Sequence, residues 1–86
     1  MAILTTRVQV GDYDAWKPMF DTDPAGVREK STGLRLFRLV EDPDEVLVAV
    51  EFATADDAAE AREKLLASGV LERVTVVTEP ALAIEA

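Results

Sequence analysis

The sequence predicts an α+β domain of the ferredoxin-like kind, in which two helices cover one face of a four-stranded antiparallel sheet in the order βαββαβ. Three observations predict this fold. Four segments have the alternating or β-branched pattern of strands, two have apolar residues at helical spacing, and turn residues separate them where a hairpin and the helix ends are needed. Since the chain has 86 residues and no low-complexity run, we expect a single domain over residues 1–86.

The first strand is followed by a largely helical segment. Residues 2–10 are rich in β-branched types and alternate, so we predict a strand that ends at Gly11. Residues 12–30 then carry large apolar side chains at steps of three and four, which is the spacing of one helical face. We therefore expect a helix directly after the first strand.

Two prolines interrupt this helical segment. Pro18 lacks the amide that would bond to the preceding turn, and Pro24 disfavours helical geometry at Asp23 while fitting the first position of a new helix. We therefore predict two helical pieces, one from about residue 14 to residue 20 or 21 and one that begins with Asp23 as its cap. The kink between them contains Asp21 and Asp23.

A hairpin comes next. Residues 33–40 and 46–52 both have the composition of strands, and the connection EDPDE at residues 41–45 has proline and aspartate turn chemistry. Because so short a connection joins neighbouring antiparallel strands, we expect these two strands to pair directly.

The second helix and the last strand complete the pattern. Thr54 can cap a helix that runs to about Ala67, because its hydroxyl can accept from an amide of the first turn. Gly69 suits the left-handed position after the last turn, and residues 70–73 can form one more short turn. The remaining residues are predicted to be extended, with a break at Pro80.

The hairpin strands are apolar on both faces. If Val40 lies opposite Val46, one face carries Leu34, Leu36, Arg38 and Val40 with Val46, Val48, Val50 and Phe52. The other carries Phe37, Leu39, Leu47 and Ala49, with Arg35 across from Glu51 in what we interpret as an interface ion pair. Helices can cover only the first face, so the second needs another surface. A second copy of the chain would cover it, and the alternative is a monomer with an apolar surface.

Composition excludes several classes of function. A net charge of −8 would repel a phosphate backbone, so we do not expect a nucleic-acid partner. Cysteine and histidine are absent, which removes disulfides and the usual ligands of zinc and haem, and we predict neither metal nor cofactor. No segment has the apolar length of a membrane span, and the first ten residues lack the pattern of a signal peptide, so we expect a cytoplasmic protein.

Four runs along the chain resemble a known family. They are D-Y-D-A-W-K-P-x-F-D, G-L-R-L-F-R, D-P-D-E-V and V-E-F-A-T-A-D-D-A, and together with the element order they are similar to the dimeric α/β-barrel superfamily. More narrowly, they resemble the small domains related to antibiotic-biosynthesis monooxygenases. The resemblance implies a homodimer whose sheets form a barrel, with a cleft in each protomer between sheet and helices. It also implies relatives that are cofactor-independent oxygenases or polyketide cyclases, among other activities.

The chain departs from those relatives in one respect. It contains no histidine and no asparagine, so a histidine base or an asparagine donor cannot be transferred from the family to any position here. The resemblance leads us to expect a histidine near Asp23 in close relatives.

The candidate pocket residues come from the first helix. Trp16 and Phe20 are four residues apart and should share the face that points to the sheet, where they form either core or pocket wall. Tyr13 should lie at the mouth of the cleft with its hydroxyl available as a donor.

The candidate catalytic residues are Arg38, Asp21 and Asp23. Arg38 is the polar exception on the face that the helices cover, so we expect a buried guanidinium that pairs with a carboxylate of the chain or of a ligand. Asp21 or Asp23 would act as a base whose pKa burial could raise. The alternatives are a structural ion pair for Arg38 and simple helix capping for Asp23.

Two functions from different classes remain. The first is an enzyme of secondary metabolism, a cofactor-independent oxygenase or cyclase that acts on an aromatic or polyketide-like substrate. The second is a non-catalytic homodimer that binds a small ligand or serves in assembly. A cavity of roughly 300 Å³ bordered by both Trp16 and Arg38 would favour the enzyme, and a space filled by leucine and valine would favour the second function.

Overall fold

A computed structural model describes residues 1–86 and has the predicted ferredoxin-like topology. The sheet has four antiparallel strands in the order β2-β3-β1-β4, and no helix is long and apolar enough to cross a membrane. The elements in chain order are β1 (Ala2–Gln9), α1 (Tyr13–Asp21), β2 (Gly33–Arg38), β3 (Glu45–Phe52), α2 (Ala55–Ser68), a 3₁₀ turn η1 (Val70–Arg73) and β4 (Thr75–Ile84). The fold prediction is confirmed, while the pairing of two such sheets stays a prediction.

The hydrophobic core lies on the inner face of the sheet, as the strand pattern predicts. Every second residue of β1 is buried, and α2 places two alanines against the sheet, which lets the helix approach closely. The buried hydrophobic residues are Ala2, Leu4, Val8, Val46, Val48, Val50, Phe52, Ala58 and Ala61. The central strands β1 and β3 supply seven of these nine residues, so they form the rigid floor of the domain.

The hairpin register differs from the prediction by two residues. Val46 lies opposite Arg38 rather than Val40, because β2 ends at Arg38 and the Leu39 amide already donates to the Glu45 carbonyl at 3.0 Å. Since side chains alternate with a period of two, this shift leaves each residue on its predicted face. The predicted pairing of Arg35 with Glu51 is wrong, because Arg35 lies opposite Ala49.

The ends of α2 and the irregular β4 follow from single residues. The Thr54 hydroxyl accepts from the Asp57 amide, and Gly69 has a φ of 75°, so both predicted caps are confirmed. The predicted break of the strand at Pro80 is wrong, because β4 continues to Ile84. The pairing of β4 with β1 instead changes register near Pro80. There the Thr6 hydroxyl donates to the Thr78 carbonyl at 2.7 Å.

The predicted second helical piece does not form. Residues 22–32, which we call the turn segment, consist of turns, because Asp23 has a φ of +50° and Gly26 a φ of +68°. Two left-handed residues so close together are incompatible with a right-handed helix. The Asp23 carboxylate instead holds the turns together, since it accepts from the amides of Val27 and Arg28, both at 3.0 Å.

Candidate functional site

An apolar cleft lies between the inner face of the sheet and the elements that cover it. Its volume is about 80 Å³, and 13 of its 17 lining residues are hydrophobic. The sheet forms its floor, α1 and the turn segment form one side, and the end of α2 with η1 forms the other. Any molecule held there would be bound mainly through burial of apolar surface.

The aromatic side of the cleft comes from α1. Trp16 and Phe20 both line it, and their ring centroids lie 4.7 Å apart with a tilt of 32°. Their spacing of four places them on one helical face, while Pro18 lies on the exposed face where its missing amide is tolerated. Met19 adds an adaptable side chain beside them. The prediction that Trp16 and Phe20 face the sheet is confirmed.

The polar end of the cleft is formed by Asp23 and Arg28 of the turn segment. Arg28 Nη2 donates to the Phe20 carbonyl at 2.8 Å, and Arg28 Nε lies 3.8 Å from Asp23 Oδ1. The guanidinium carbon lies 4.7 Å from the centre of the Phe20 ring, as in a cation–π contact. Both side chains line the cleft, so one charged pair borders a space that is otherwise lined mainly by apolar residues.

Three predicted site residues, Asp21, Arg38 and Tyr13, lie outside the cleft. Asp21 is exposed and accepts from Lys17 Nζ at 2.7 Å one turn away. Arg38 is also exposed: its Nε donates to the Pro43 carbonyl at 2.7 Å, and its guanidinium carbon lies 4.0 Å from the centre of the Tyr13 ring. The expectation of a buried Arg38 is therefore wrong, because β2 is an edge strand and Arg38 ends it beside the hairpin turn.

Tyr13 belongs with Arg38 rather than with the cleft. Its ring centroid lies 5.9 Å from that of Trp16, but the tyrosine is absent from the cleft wall. The Tyr13 amide donates to Asp44 Oδ1 at 3.0 Å, which joins the start of α1 to the hairpin turn. Tyr13 and Arg38 thus form a stacked pair at the end of the domain where the start of α1 meets the hairpin turn.

Sequence reasoning missed two polar residues of the cleft. No pattern in the sequence pointed to Arg28 as a cleft residue, because its position depends on turns that reverse the chain after α1. Thr6 could have been found, since it is the polar member of the alternating row Ala2, Leu4, Thr6 and Val8 on the inner face of β1. Its bond to the Thr78 carbonyl already satisfies its hydroxyl, and no group of carboxylates in the structure is arranged to hold a metal ion.

Two ion pairs tie the turn segment to α2 on the outside of the domain. Lys30 Nζ lies 2.9 Å from Glu60 Oε2, and Lys64 Nζ lies 2.9 Å from Glu29 Oε2. The hydrogen bonds from these lysines lower the pKa of Glu60 and of Glu29 below the ordinary value of 4.5. The same bonds raise the pKa of both lysines above 10.5. The wall that carries Asp23 and Arg28 is therefore attached partly by surface charges.

Comparison with known proteins finds a similar fold in solved structures. No family model and no curated protein matches the chain. A structural-genomics protein from Agrobacterium tumefaciens is 21% identical, with 99% of this chain and 91% of that chain covered and a TM-score of 0.59.

A second solved structure carries a functional name. This protein from Chloroflexus aurantiacus is called a "putative Antibiotic biosynthesis monooxygenase"; it is 12% identical, with 99% of this chain and 90% of that chain covered and a TM-score of 0.58. Its name agrees with the family that the four sequence runs resemble. The chain shares the ferredoxin-like α+β fold of a protein named for the antibiotic-biosynthesis monooxygenases.

Proposed function

We propose that this protein binds a small molecule with an aromatic ring in the cleft between sheet and α1. The observation that carries the proposal is the cleft wall, in which Trp16 and Phe20 present aromatic rings to a space that is lined mainly by hydrophobic residues. A ring that enters this space removes apolar surface from water and can stack on the aromatic side chains.

The size of the cleft limits the ligand. At about 80 Å³ it is smaller than the roughly 300 Å³ that we set as a condition for the enzyme, and Arg38 does not border it. A cavity of about 150 Å³ accepts benzene in another protein. The ligand is therefore one ring in a cleft that opens slightly, or a larger compound that displaces the turn segment. On these grounds binding is supported better than catalysis.

Catalysis is the second candidate, and Asp23 together with the name of the Chloroflexus protein favours it. A carboxylate at the edge of an apolar cleft can remove a proton from a carbon that is activated by a neighbouring carbonyl. In a cyclase, the resulting carbanion would attack a second carbonyl of the same molecule. In a cofactor-independent oxygenase it would react with O₂, so that a CH₂ group becomes C=O and the second oxygen atom leaves as water.

The outer face of the sheet supports a homodimer. Phe37 and Leu47 lie directly opposite each other there, and they remain 47% and 38% exposed. A domain this small gains stability when such a face is covered, and a two-fold axis would cover both copies with one self-complementary surface. Size-exclusion chromatography with light scattering tests the dimer, and a single species of 9.4 kDa would contradict it.

Two phenylalanine variants test the binding proposal with a built-in control. Because Trp16 is the only tryptophan, its fluorescence reports a ligand in the cleft directly. We expect indane, a fused aromatic hydrocarbon, to change this fluorescence saturably, and Phe20→Ala to weaken its binding about tenfold through lost ring contact. Phe37→Ala, on the outer face, should leave the affinity unchanged and shift any dimer toward monomer. If both variants bound indane with equal affinity, the cleft would not be the binding site.

Oxygen uptake in the presence of anthrone tests the second candidate. Anthrone has a CH₂ group activated by aromatic rings and a carbonyl, so an oxygenase would consume O₂ and yield the quinone. Asp23→Asn should abolish that rate if Asp23 is the base, whereas Asp21→Asn should not alter it. Uptake equal to the protein-free rate would leave the protein as a binding module.

A further inference from the structure

We infer that the ligand of this cleft carries a neutral oxygen that accepts hydrogen bonds, and that Arg28 is the residue that selects it. The inference rests on the proposed binding function and narrows its ligand to ring ketones and phenols. Three features of Arg28 carry it: the way its guanidinium is held, the donors that it leaves free, and the charges around it.

The guanidinium of Arg28 is held in a fixed position at the edge of the cleft. Its face lies over the Phe20 ring at 4.7 Å, its Nη2 donates to the Phe20 carbonyl at 2.8 Å, and its side chain is only 21% exposed. The backbone amide of the same residue donates to Asp23 Oδ2 at 3.0 Å, which anchors the stem. Such a group loses little conformational freedom when it binds a ligand.

Most of the donors of this guanidinium have no protein partner. An arginine has five N–H donors. In Arg28 one Nη2 hydrogen is donated to the Phe20 carbonyl, Nε lies 3.8 Å from Asp23, and Nη1 donates to no protein atom. Asp23 differs, because both of its oxygens already accept backbone amides. The polar end of the cleft therefore offers several free hydrogen-bond donors to a ligand, whereas each Asp23 oxygen is already shared with a backbone amide.

The surrounding charge favours a neutral acceptor over an anion. Asp23 lies close enough to compensate the charge of Arg28, and the chain as a whole carries a net charge of −8. A carboxylate would have to be desolvated in an apolar cleft against this field. A ketone or phenol oxygen has a smaller desolvation cost, and it still receives a charge-assisted hydrogen bond while its ring contacts Trp16 and Phe20.

The direct test compares matched ligands on the unmodified protein by titration of Trp16 fluorescence. Indane and 1-indanone share one ring skeleton and differ by a carbonyl oxygen, and benzoate adds the anionic case. We expect 1-indanone to bind about tenfold more tightly than indane, as one hydrogen bond to a charged donor allows, and benzoate to bind more weakly than 1-indanone. Equal affinities for indane and 1-indanone, or a preference for benzoate, would overturn the inference.

Two variants assign the preference to Arg28. Arg28→Met keeps an apolar stem and removes every donor, so it should reduce the ratio of the dissociation constants of indane and 1-indanone to near unity. Arg73→Met, which removes an exposed arginine outside the cleft, should keep the full preference. Retention of the preference in Arg28→Met would contradict the assignment. If no hydrocarbon or ketone changes Trp16 fluorescence in the unmodified protein, the binding function itself fails, and that result is distinct from equal binding of both ligands.

Discussion

Two of the regions that border the cleft, the sheet and the turn segment, are built in different ways. The sheet wall consists of β1 and β3, which pair along eight consecutive positions and bury alternate side chains completely or nearly so. The turn segment has neither a strand nor a helix, and it is held by the carboxylate of Asp23, the guanidinium of Arg28 and two ion pairs to α2. The sheet is stabilised by many small apolar contacts, and the turn segment by a few specific polar ones.

This difference separates stability from ligand selection. The sheet wall supplies a floor of valine and leucine, which contributes burial but no preference among apolar ligands. The turn segment supplies the charged pair of the cleft, and it is the part of the wall that can move without breaking the sheet. We therefore expect substitutions in the sheet to lower the free energy of unfolding most, and those in the turn segment to lower it less and to change binding as well.

The largest expected loss of stability comes from the sheet wall. Phe52 is fully buried with no exposed area, and Phe52→Ala should lower the free energy of unfolding by about 3 to 5 kcal/mol, because it leaves a cavity in the core. Leu66→Ala is the control and should cost about 1 kcal/mol or less, since Leu66 on α2 is 55% exposed. Urea unfolding measures both, and equal losses would contradict the placement of the core on the inner face of the sheet.

A smaller loss is expected from the turn segment. Asp23→Ala removes the acceptor of two backbone amides and the partner of Arg28, so it should lower the free energy of unfolding by about 1 to 3 kcal/mol. Faster hydrogen exchange at the amides of Val27 and Arg28 should accompany it, whereas β1 stays protected. Asp21→Ala is the control, because the half-exposed Asp21 only accepts from Lys17 at the surface, and a change of about 0.5 kcal/mol or less is expected.

The smallest effect is expected from the ion pairs, and it depends on pH. The pKa values of Glu29 and Glu60 are lowered in the folded state, so their contribution is present above about pH 4.5 and is lost as the pH falls through those lowered values. The pKa values of Lys30 and Lys64 are raised, so the same contribution is lost again as the pH rises beyond 10.5.

Thermal unfolding at low salt can isolate this contribution. Between pH 7 and pH 3 the unmodified protein should lose more of its midpoint temperature than the double variant with Lys30→Met and Lys64→Met, and 1 M salt should reduce the difference. Identical pH profiles would show that these pairs do not hold the turn segment. The double variant Arg62→Met and Arg73→Met is the control for removal of two positive charges elsewhere, because neither arginine belongs to an ion pair.

The sequence was most informative where one physical signal dominates. The alternation of side-chain direction along β2 and β3 divided their residues correctly between two faces, and this assignment survived a register error of two because the side-chain period is also two. Thr54 and Gly69 identified both ends of α2, since each cap depends only on local backbone groups. The shared face of Trp16 and Phe20 toward the sheet was predicted correctly for the same reason, because helical spacing is a local property.

Predictions failed where position depends on a distant neighbour. Pro24 suits the start of a helix, but the left-handed turns at Asp23 and Gly26 replace that helix, so the propensity of one residue was overridden. Arg38 lies on the predicted face, yet the edge position of β2 and the ring of Tyr13 leave its guanidinium at the surface.

The sequence by itself determined the order of the elements, the faces of the strands and the aromatic side of the cleft, because periodicity and caps act within a few residues. Only the tertiary structure decided which charged groups border that cleft. Arg28 borders the cleft because the chain reverses after α1 and brings it back to the carbonyl of Phe20, eight residues earlier. Arg38 lies outside the cleft, and β2 ends at this residue, two residues before the predicted end of the strand at Val40. Such outcomes depend on how turns place separate segments in space, and no local pattern in the chain contains that information.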